Sequence, residues 1–136
     1  MRAMIIMKAS KDSEAGVMPT EQLLSDMGKF NQELIDAGIM KAGEGLHPTS
    51  KAVRIRFAGG NQTVTKGPFT PATEQIAGFW LWNVKSMDEA IDWVKRVPVV
   101  DAEIEIRPIF EAEDFGEEFT PELREQEERQ RAQLEG

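Results

Sequence analysis

The chain contains 136 residues with no cysteine and one histidine, and its formal net charge at pH 7 is −8. The length predicts a single folded domain, and the lack of cysteine excludes disulfides, thiolate metal sites and a cysteine nucleophile. No apolar run is long enough to cross a membrane and the N-terminus has no secretory signal pattern, so we expect a cytoplasmic protein with no membrane partner.

The negative charge is concentrated at the C-terminus. Residues 1–110 hold 13 basic and 14 acidic side chains, a net charge of −1, whereas residues 111–136 hold 3 and 10, a net charge of −7. Binding to a phosphate backbone requires a basic surface, so this balance disfavours a nucleic-acid partner. We divide the chain into a folded domain, residues 1–110, and an acidic C-terminal arm and helix, residues 111–136.

The first 46 residues predict a strand, a helix and a second strand. Residues 3–8 are a short apolar run typical of a buried strand. Between Pro19 and Gly38 apolar residues repeat at helical spacing, and Gly38 is placed to end the helix. The predicted apolar face comprises Leu23, Leu24, Met27, Phe30, Leu34 and Ile35. Gly28 in the same helix indicates close packing against the sheet, and residues 39–46 predict a strand with a bulge at its glycines.

Three more strands follow in the middle of the chain. Residues 52–58 alternate apolar side chains with Arg54 and Arg56, as in a half-buried strand. Gly59 and Gly60 predict a tight hairpin turn into a strand over residues 62–65. A long crossing then leads to an aromatic strand, residues 78–84.

A second helix and a last strand complete the folded domain. Ser86 and Glu89 form a capping-box pattern that begins the helix, Pro98 stops it, and residues 103–110 alternate as a final strand. The order is βαββαβ with an extra hairpin, which predicts a ferredoxin-like α+β sheet with both helices on one face. Trp80 and Trp82, or Phe79, would lie on the bare face, which indicates a homodimer whose sheets pack face to face.

The acidic segment predicts an arm and a solvated helix. Phe115 and Phe119 stand among acidic residues, as in an extended arm that docks its rings on a neighbour. Thr120 and Pro121 favour the start of a helix. This helix has few apolar residues and is marginal alone. Its predicted i,i+4 pairs are Arg124–Glu128, Glu125–Arg129 and Glu127–Arg131.

Several spaced motifs resemble the YCII-related (DGPF) family. In that family a strand ends in Asp-Gly-Pro-Phe, a polar stretch with Glu follows, and the chain re-enters the sheet at Gly-Gly-Phe. The matching residues are Gly67, Pro68, Phe69, Glu74, Gly78 and Phe79, with further matches at Glu44-Gly45-Leu46, Pro48, Met87-Asp88-Glu89-Ala90 and Glu105-Ile106-Arg107-Pro108. Lys66 stands in place of the family's Asp, and Ala77 in place of the first Gly of the pair.

The resemblance covers about residues 1–110 and implies a dimeric α+β barrel with a cavity between or beneath the sheets. The family has no settled activity. It is associated with small-molecule enzymes of the same architecture and, in some members, with extracytoplasmic-function sigma factors. Relatives in the wider superfamily were proposed to use a His–Asp pair, but His47 does not match that pair.

The candidate site residues are His47, Arg54, Arg56, Trp80, Trp82 and Arg107. His47 is either a general acid or base at the cavity mouth or a loop residue without a catalytic task. The arginines either bind a carboxylate or phosphate beside the tryptophan rings or form salt bridges with Glu103 and Glu105 across the dimer. We expect no cofactor and no metal, because one histidine without cysteine does not build a typical zinc site.

Two functions are consistent with these patterns. The first is a small-molecule-binding protein or enzyme with a pocket associated with the dimer, taking a small anionic ligand. The second is a non-enzymatic accessory protein that engages a basic partner, such as a transcription component, through residues 111–136. The sequence leaves open whether any reaction is catalysed.

Overall fold

The computed structural model describes residues 1–135, which contain two antiparallel sheets and four α-helices. The strands are β1 (Arg2–Lys8), β2 (Met40–Gly45), β3 (Val53–Ala58), β4 (Asn61–Lys66), β5 (Ile76–Asn83) and β6 (Ile104–Pro108). The helices are α1 (Lys11–Glu14), α2 (Glu21–Asp36), α3 (Met87–Val94) and α4 (Pro121–Glu135). The predicted α+β class is confirmed, and Gly136 of the predicted tail lies outside the described residues.

The main sheet has the strand order β2-β5-β1-β6, and every neighbouring pair is antiparallel. β1 lies inside the sheet, where Ile5 is opposite Trp80 on β5 and Ile106 on β6. Its apolar run suits this position, because an inner strand is covered on both sides by its neighbours. The register shifts between Met40 and Ala42, so β2 has an irregularity before its glycines and not at them as predicted.

Helix α2 ends where the sequence predicts, and it begins at Glu21, two residues after Pro19. The Thr20 hydroxyl accepts a hydrogen bond from the Leu23 N–H at 3.1 Å, which satisfies one of the free donors of the first turn. Gly38 follows the last turn with φ +73°, a left-handed conformation that favours glycine at this position. Phe30 and Leu34 are the buried residues of the helix.

The apolar face of α2 is narrower than predicted. Leu24 and Ile35 are exposed, because the large side chains of Phe30 and Leu34 set which side of the helix points inward. Gly28 is also exposed, and no atom lies within 4 Å of the position that a Cβ would take. The prediction of close packing at Gly28 is therefore wrong.

Trp80 and Trp82 lie in the hydrophobic core beneath the helices. The Phe30 ring centroid is 6.1 Å from that of Trp80 and 6.5 Å from that of Trp82. The Trp80 indole N–H donates to Asn31 Oδ1 at 3.0 Å, and Trp82 is fully buried. Of the alternatives predicted for the face away from the helices, Trp80 and Trp82 are wrong, and Phe79 is the residue of β5 that lies there opposite Ile6. Alternate residues of β5 face opposite sides, and the larger rings take the side that the helices seal from water.

Strands β3 and β4 form a separate hairpin that is exposed along its length. Its two-residue turn consists of Gly59 and Gly60, with φ of +56° and +82°, as a tight hairpin turn requires. Because the hairpin is outside the main sheet, Arg54 and Arg56 do not share a sheet face with Arg107 on β6. The expectation that the three arginines form one site beside the tryptophan rings is therefore wrong.

The C-terminal helix is solvated over its described length. Helix α4 has no buried residue within that range. Ion pairs join Glu125 to Arg129 at 3.3 Å and Glu127 to Arg131 at 2.9 Å, which confirms two of the three predicted pairs. Arg124 instead turns back and donates to the carbonyl oxygens of Phe119 and Ala112.

Candidate functional site

One face of the β3–β4 hairpin is cationic. Arg54 lies opposite Thr65 and Arg56 lies opposite Thr63, so two guanidinium groups and two hydroxyl groups share this face. Among the residues that the structure describes, neither arginine takes part in an ion pair. The charge on this face is therefore available to an external anion.

Arg54 is held in place by two neighbours from the crossing that leads to β5. Its Nη2 donates to Gln75 Oε1 at 2.9 Å, and its Cζ lies 3.8 Å from the centroid of the Phe69 ring. Gln75 is buried, and its amide nitrogen donates to the Pro71 carbonyl at 3.1 Å. A guanidinium stacked on a ring and fixed by a buried amide loses less freedom on binding a ligand than a mobile one does.

Phe69 is positioned by a hydrogen-bonded contact with Thr49. The Phe69 N–H donates to Thr49 Oγ1 at 2.9 Å. The Thr49 hydroxyl donates to Glu14 Oε1 at 2.5 Å, and the Thr49 N–H donates to Glu14 Oε2 at 2.7 Å. Both oxygens of one carboxylate therefore fasten the turn that carries Thr49, and charge-assisted bonds of this kind are the stronger ones.

Glu14 belongs to helix α1, which the sequence did not predict. The Ser10 hydroxyl accepts from the Ser13 N–H at 3.1 Å, and the Ser13 hydroxyl accepts from the Ser10 N–H at 2.8 Å. This reciprocal cap stabilises a single turn in a segment that we expected to be a loop. The turn places Glu14 against Thr49 and so helps to hold the segment between β4 and β5, which contains Phe69.

Gly67 explains why the Gly-Pro-Phe motif begins with glycine. A Cβ at residue 67 would lie 1.7 Å from the Thr49 carbonyl oxygen. The Gly67 N–H also donates to the Ala52 carbonyl at 2.9 Å, so the backbone runs directly against the turn at Thr49. The peptide bonds Gly67–Pro68 and Thr70–Pro71 are cis.

An open depression of about 620 Å³ lies against the cationic face. Its lining residues are Arg54, Ile55, Arg56, Phe57, Thr65 and Phe69. The volume is in the range of small-molecule sites, and the lining combines apolar rings with a few polar groups. Guanidinium groups bind carboxylates and phosphates through two parallel hydrogen bonds, so this lining suits a small anion.

The structure brings together only part of the predicted site. Arg54 and Arg56 line the depression, whereas Trp80 and Trp82 lie in the core. Arg107 is on the main sheet, where its Nε is 3.3 Å from Glu105 Oε2. His47 is exposed in the loop after β2 and is not part of the depression.

Four supporting residues were missed as site residues. The sequence marks Phe69 as part of the Gly-Pro-Phe motif, but it does not predict that the Phe69 ring packs against Arg54. Gln75, Thr49 and Glu14 have no sequence pattern that marks them, because Thr49 and Glu14 are separated by 35 positions. In residues 1–135, no three side chains of His, Cys, Asp or Glu come together as a metal-binding group.

The C-terminal arm is fastened to the first strand. Arg2 Nε donates to Glu111 Oε1 at 2.9 Å, and Arg2 Nη2 donates to Glu111 Oε2 at 3.1 Å. These hydrogen bonds hold the pKa of the Glu111 carboxyl below its ordinary value and raise the pKa of Arg2. Both side chains are partly exposed, so the pair fixes the direction of the arm more than it stabilises the fold.

The fold and the hairpin define an antiparallel α+β protein with an exposed cationic face. The sequence pattern of the YCII-related domain matches residues 1–113, so the chain belongs to that family. An uncharacterised protein of Rhizobium meliloti (strain 1021) is 29% identical over 92 residues, which are 65% of this chain and 74% of that relative. These matches confirm the resemblance, and neither description states an activity.

A membrane-spanning helix is absent from residues 1–135, since none of their helices combines the length and the apolar character that crossing requires.

Proposed function

We propose that the protein binds a small molecule through a carboxylate or phosphate group at the cationic face of the β3–β4 hairpin. The observation that carries this proposal is that Arg54 and Arg56 form no ion pair with the described residues. Arg54 is already stacked on Phe69 and fixed by Gln75. Two guanidinium groups without ion pairs, one of them fixed against an aromatic ring, suit the binding of an anion.

The ligand would use the two parts of the depression differently. Arg56 and the Thr65 hydroxyl supply donors for the anionic group, and Arg54 adds a charge whose position is set in advance. Phe69 supplies an apolar wall for the remainder of the molecule. The proposal concerns binding, because exposed His47 is outside the depression and no acid or base is placed at its centre.

We further propose a homodimer in which two main sheets pack face to face as a dimeric α+β barrel. Its support is the apolar character of the sheet face away from the indoles, where Met4 lies opposite Leu81 and Ile6 lies opposite Phe79. Met4, Phe79 and Leu81 are half-buried and Ile6 is buried within one copy. The antiparallel strand order β2-β5-β1-β6 supports the proposed ferredoxin-like arrangement. A second sheet at about 10 Å would cover this face.

The binding proposal is tested by thermal melting in the presence of small carboxylates and phosphates. A bound anion raises the melting temperature in a concentration-dependent way. The expected result is a shift with the wild type that is lost in the Arg54→Gln, Arg56→Gln double variant and kept in Arg107→Gln. If no compound shifts the melting temperature, or if the shift survives in the double variant, the proposal is wrong.

The second candidate function is an accessory protein that engages a basic partner, such as a sigma factor, through the acidic segment. The exposed aromatic rings of residues 110–119 favour a protein contact there. Affinity capture with the full chain and with a chain ending at residue 109 tests it. Capture of the same basic partner by both chains argues against this function.

A further inference from the structure

The β3–β4 hairpin has an apolar face that nothing covers within one copy. Ile55 lies directly opposite Val64, and Val53 and Phe57 lie on the same side of the hairpin. These side chains are 53%, 61%, 54% and 72% exposed, respectively. A two-stranded hairpin without a third strand is marginal in water. A partner surface over this face is therefore expected.

A second unpartnered apolar surface lies on the C-terminal arm. The ring centroids of Phe110 and Phe115 are 5.1 Å apart, and those of Phe115 and Phe119 are 5.2 Å apart. We call these three rings the aromatic stack. Phe110 is 66% exposed and Phe115 is 45% exposed. An open depression of about 560 Å³ lies beside Phe115 and Phe119.

The aromatic stack is held in a defined shape before any partner arrives. The Glu111 N–H donates to Asp114 Oδ2 at 2.8 Å, which closes the turn between the first two rings. Arg124 donates to the Phe119 carbonyl at 3.3 Å and lies 5.4 Å from the Phe119 ring centroid. Glu111 is itself bound to Arg2 at the end of β1. The stack is therefore a preformed surface at the edge of the main sheet.

The two surfaces carry opposite charge. Residues 51–66 hold the basic residues Lys51, Arg54, Arg56 and Lys66 and no acidic residue. Residues 110–119 hold the acidic residues Glu111, Glu113, Asp114, Glu117 and Glu118 and no basic residue. Arg54 and Arg56 lie on the other side of the hairpin, so the charge on the apolar side comes from Lys66, opposite Val53. An apolar patch with this cation matches an aromatic patch with an acidic surround in both hydrophobicity and charge.

We propose that the apolar face of the hairpin in one copy packs on the aromatic stack of a second copy. Two-fold symmetry makes this contact twice, once from each hairpin, so the two arms flank the interface between the main sheets. The inference rests on the homodimer proposed above and adds the surfaces that hold it. It leaves the arginine face of the hairpin open to a small anion.

Cysteine cross-linking tests this contact directly, because the chain has no cysteine of its own. Gln62→Cys places a thiol on the apolar side of the hairpin, opposite Phe57. Gly116→Cys places one beside Phe115, where no atom lies within 4 Å of the new Cβ. The two single-cysteine proteins are mixed at equal concentration and treated with a short bis-maleimide. The control pair is Gln62→Cys with Lys29→Cys, which lies on the exposed side of α2.

The proposal predicts a linked peptide between residues 62 and 116 from different copies, and none with the control pair. Equal yields of linked peptide from both pairs would overturn it. A further sample carries both cysteines in one chain, and a link that forms only within that chain would also overturn the proposal. A sample that is dimeric by light scattering but forms no link also overturns it and leaves the sheet-to-sheet dimer standing. A monomeric sample overturns both this contact and the sheet-to-sheet dimer. The anion-binding proposal is tested separately by thermal melting.

A second measurement uses substitutions that spare the fold. Phe57→Ser and Phe115→Ser change exposed rings, and Val100→Ser at a position 97% exposed is the control. Sedimentation over a concentration series is expected to show a dimer dissociation constant raised about tenfold by each Phe variant and unchanged by the control. Unchanged dissociation constants in both Phe variants would contradict the contact.

Discussion

Gly67 runs so close to Thr49 that a side chain at residue 67 has no room: its Cβ would lie 1.7 Å from the Thr49 carbonyl oxygen. The same threonine accepts a hydrogen bond from the Phe69 N–H, and Phe69 carries the Arg54 guanidinium on its ring. The motif glycine is therefore connected to the cationic face through Thr49 and Phe69.

Replacement of Gly67 by Ala is expected to lower the free energy of unfolding by about 2 kcal/mol or more, because backbone on both sides must move apart. The matched control is Gly45→Ala, where nothing lies within 4 Å of the new Cβ. Urea unfolding of the two variants is the measurement. Equal losses in both would show that the contact at Thr49 is unimportant.

Replacement of Thr49 by Val removes the hydroxyl that joins Glu14 to the Phe69 backbone. The expected loss of stability is about 1–3 kcal/mol, since the carboxylate and the Phe69 N–H both lose a partner. Thr49→Ser keeps the hydroxyl and is expected to retain most of the stability. Chemical unfolding compares the two. A Ser variant as unstable as the Val variant would show that keeping the hydroxyl does not preserve the stability, which would contradict this role of the hydroxyl.

Replacement of Gly28 by Ala is expected to stabilise the protein by about 0.5–1 kcal/mol. Gly28 is exposed inside α2 with free space around its Cβ position, and alanine restricts the unfolded chain and favours the helix. Thermal melting gives the result. A lower melting temperature would mean that this face of α2 is covered in solution.

The Arg2–Glu111 pair predicts a small pH-dependent contribution to stability. The pKa of Glu111 is lowered in the folded state, so its contribution is present above the unfolded pKa and is lost as the pH falls through the folded pKa. Glu111→Gln is expected to cost less than about 1 kcal/mol at pH 7, because both side chains are partly exposed.

Urea unfolding at pH 7 and at the lowest pH where the protein stays folded checks this expectation. The difference between wild type and Glu111→Gln should shrink as the pH falls. Glu118→Gln, on the same arm, is the control. A difference that stays constant with pH would mean that the charge of Glu111 does not contribute.

The sequence predicted the elements whose signals are local. The hydroxyl cap at Ser86, the glycine at residue 38 and the hairpin turn at Gly59 and Gly60 each depend on a few adjacent residues, and the structure has them in place. The alternation over residues 104–108 also predicted its strand. These patterns act through backbone conformation and neighbouring hydrogen bonds, so they can be read without the fold.

The sequence did not predict which face of β5 the helices cover. Phe79 and Leu81 alternate with Trp80 and Trp82, so both faces are apolar and period-2 spacing does not separate them. The side of β5 that carries Trp80 and Trp82 is the covered one, because Phe30 of α2 packs against both indoles. The detachment of the hairpin from the main sheet and the pairing of Glu14 with Thr49 depend on contacts between distant segments, which no local pattern encodes.

Isothermal titration calorimetry tests the central claim most directly, using the anion that gives the largest melting shift. The proteins compared are the wild type, Arg56→Gln and Arg107→Gln. Loss of one charge-assisted hydrogen bond should raise the dissociation constant of Arg56→Gln by about tenfold or more, while Arg107→Gln binds like the wild type. Equal dissociation constants for all three proteins would contradict an anion site on the hairpin.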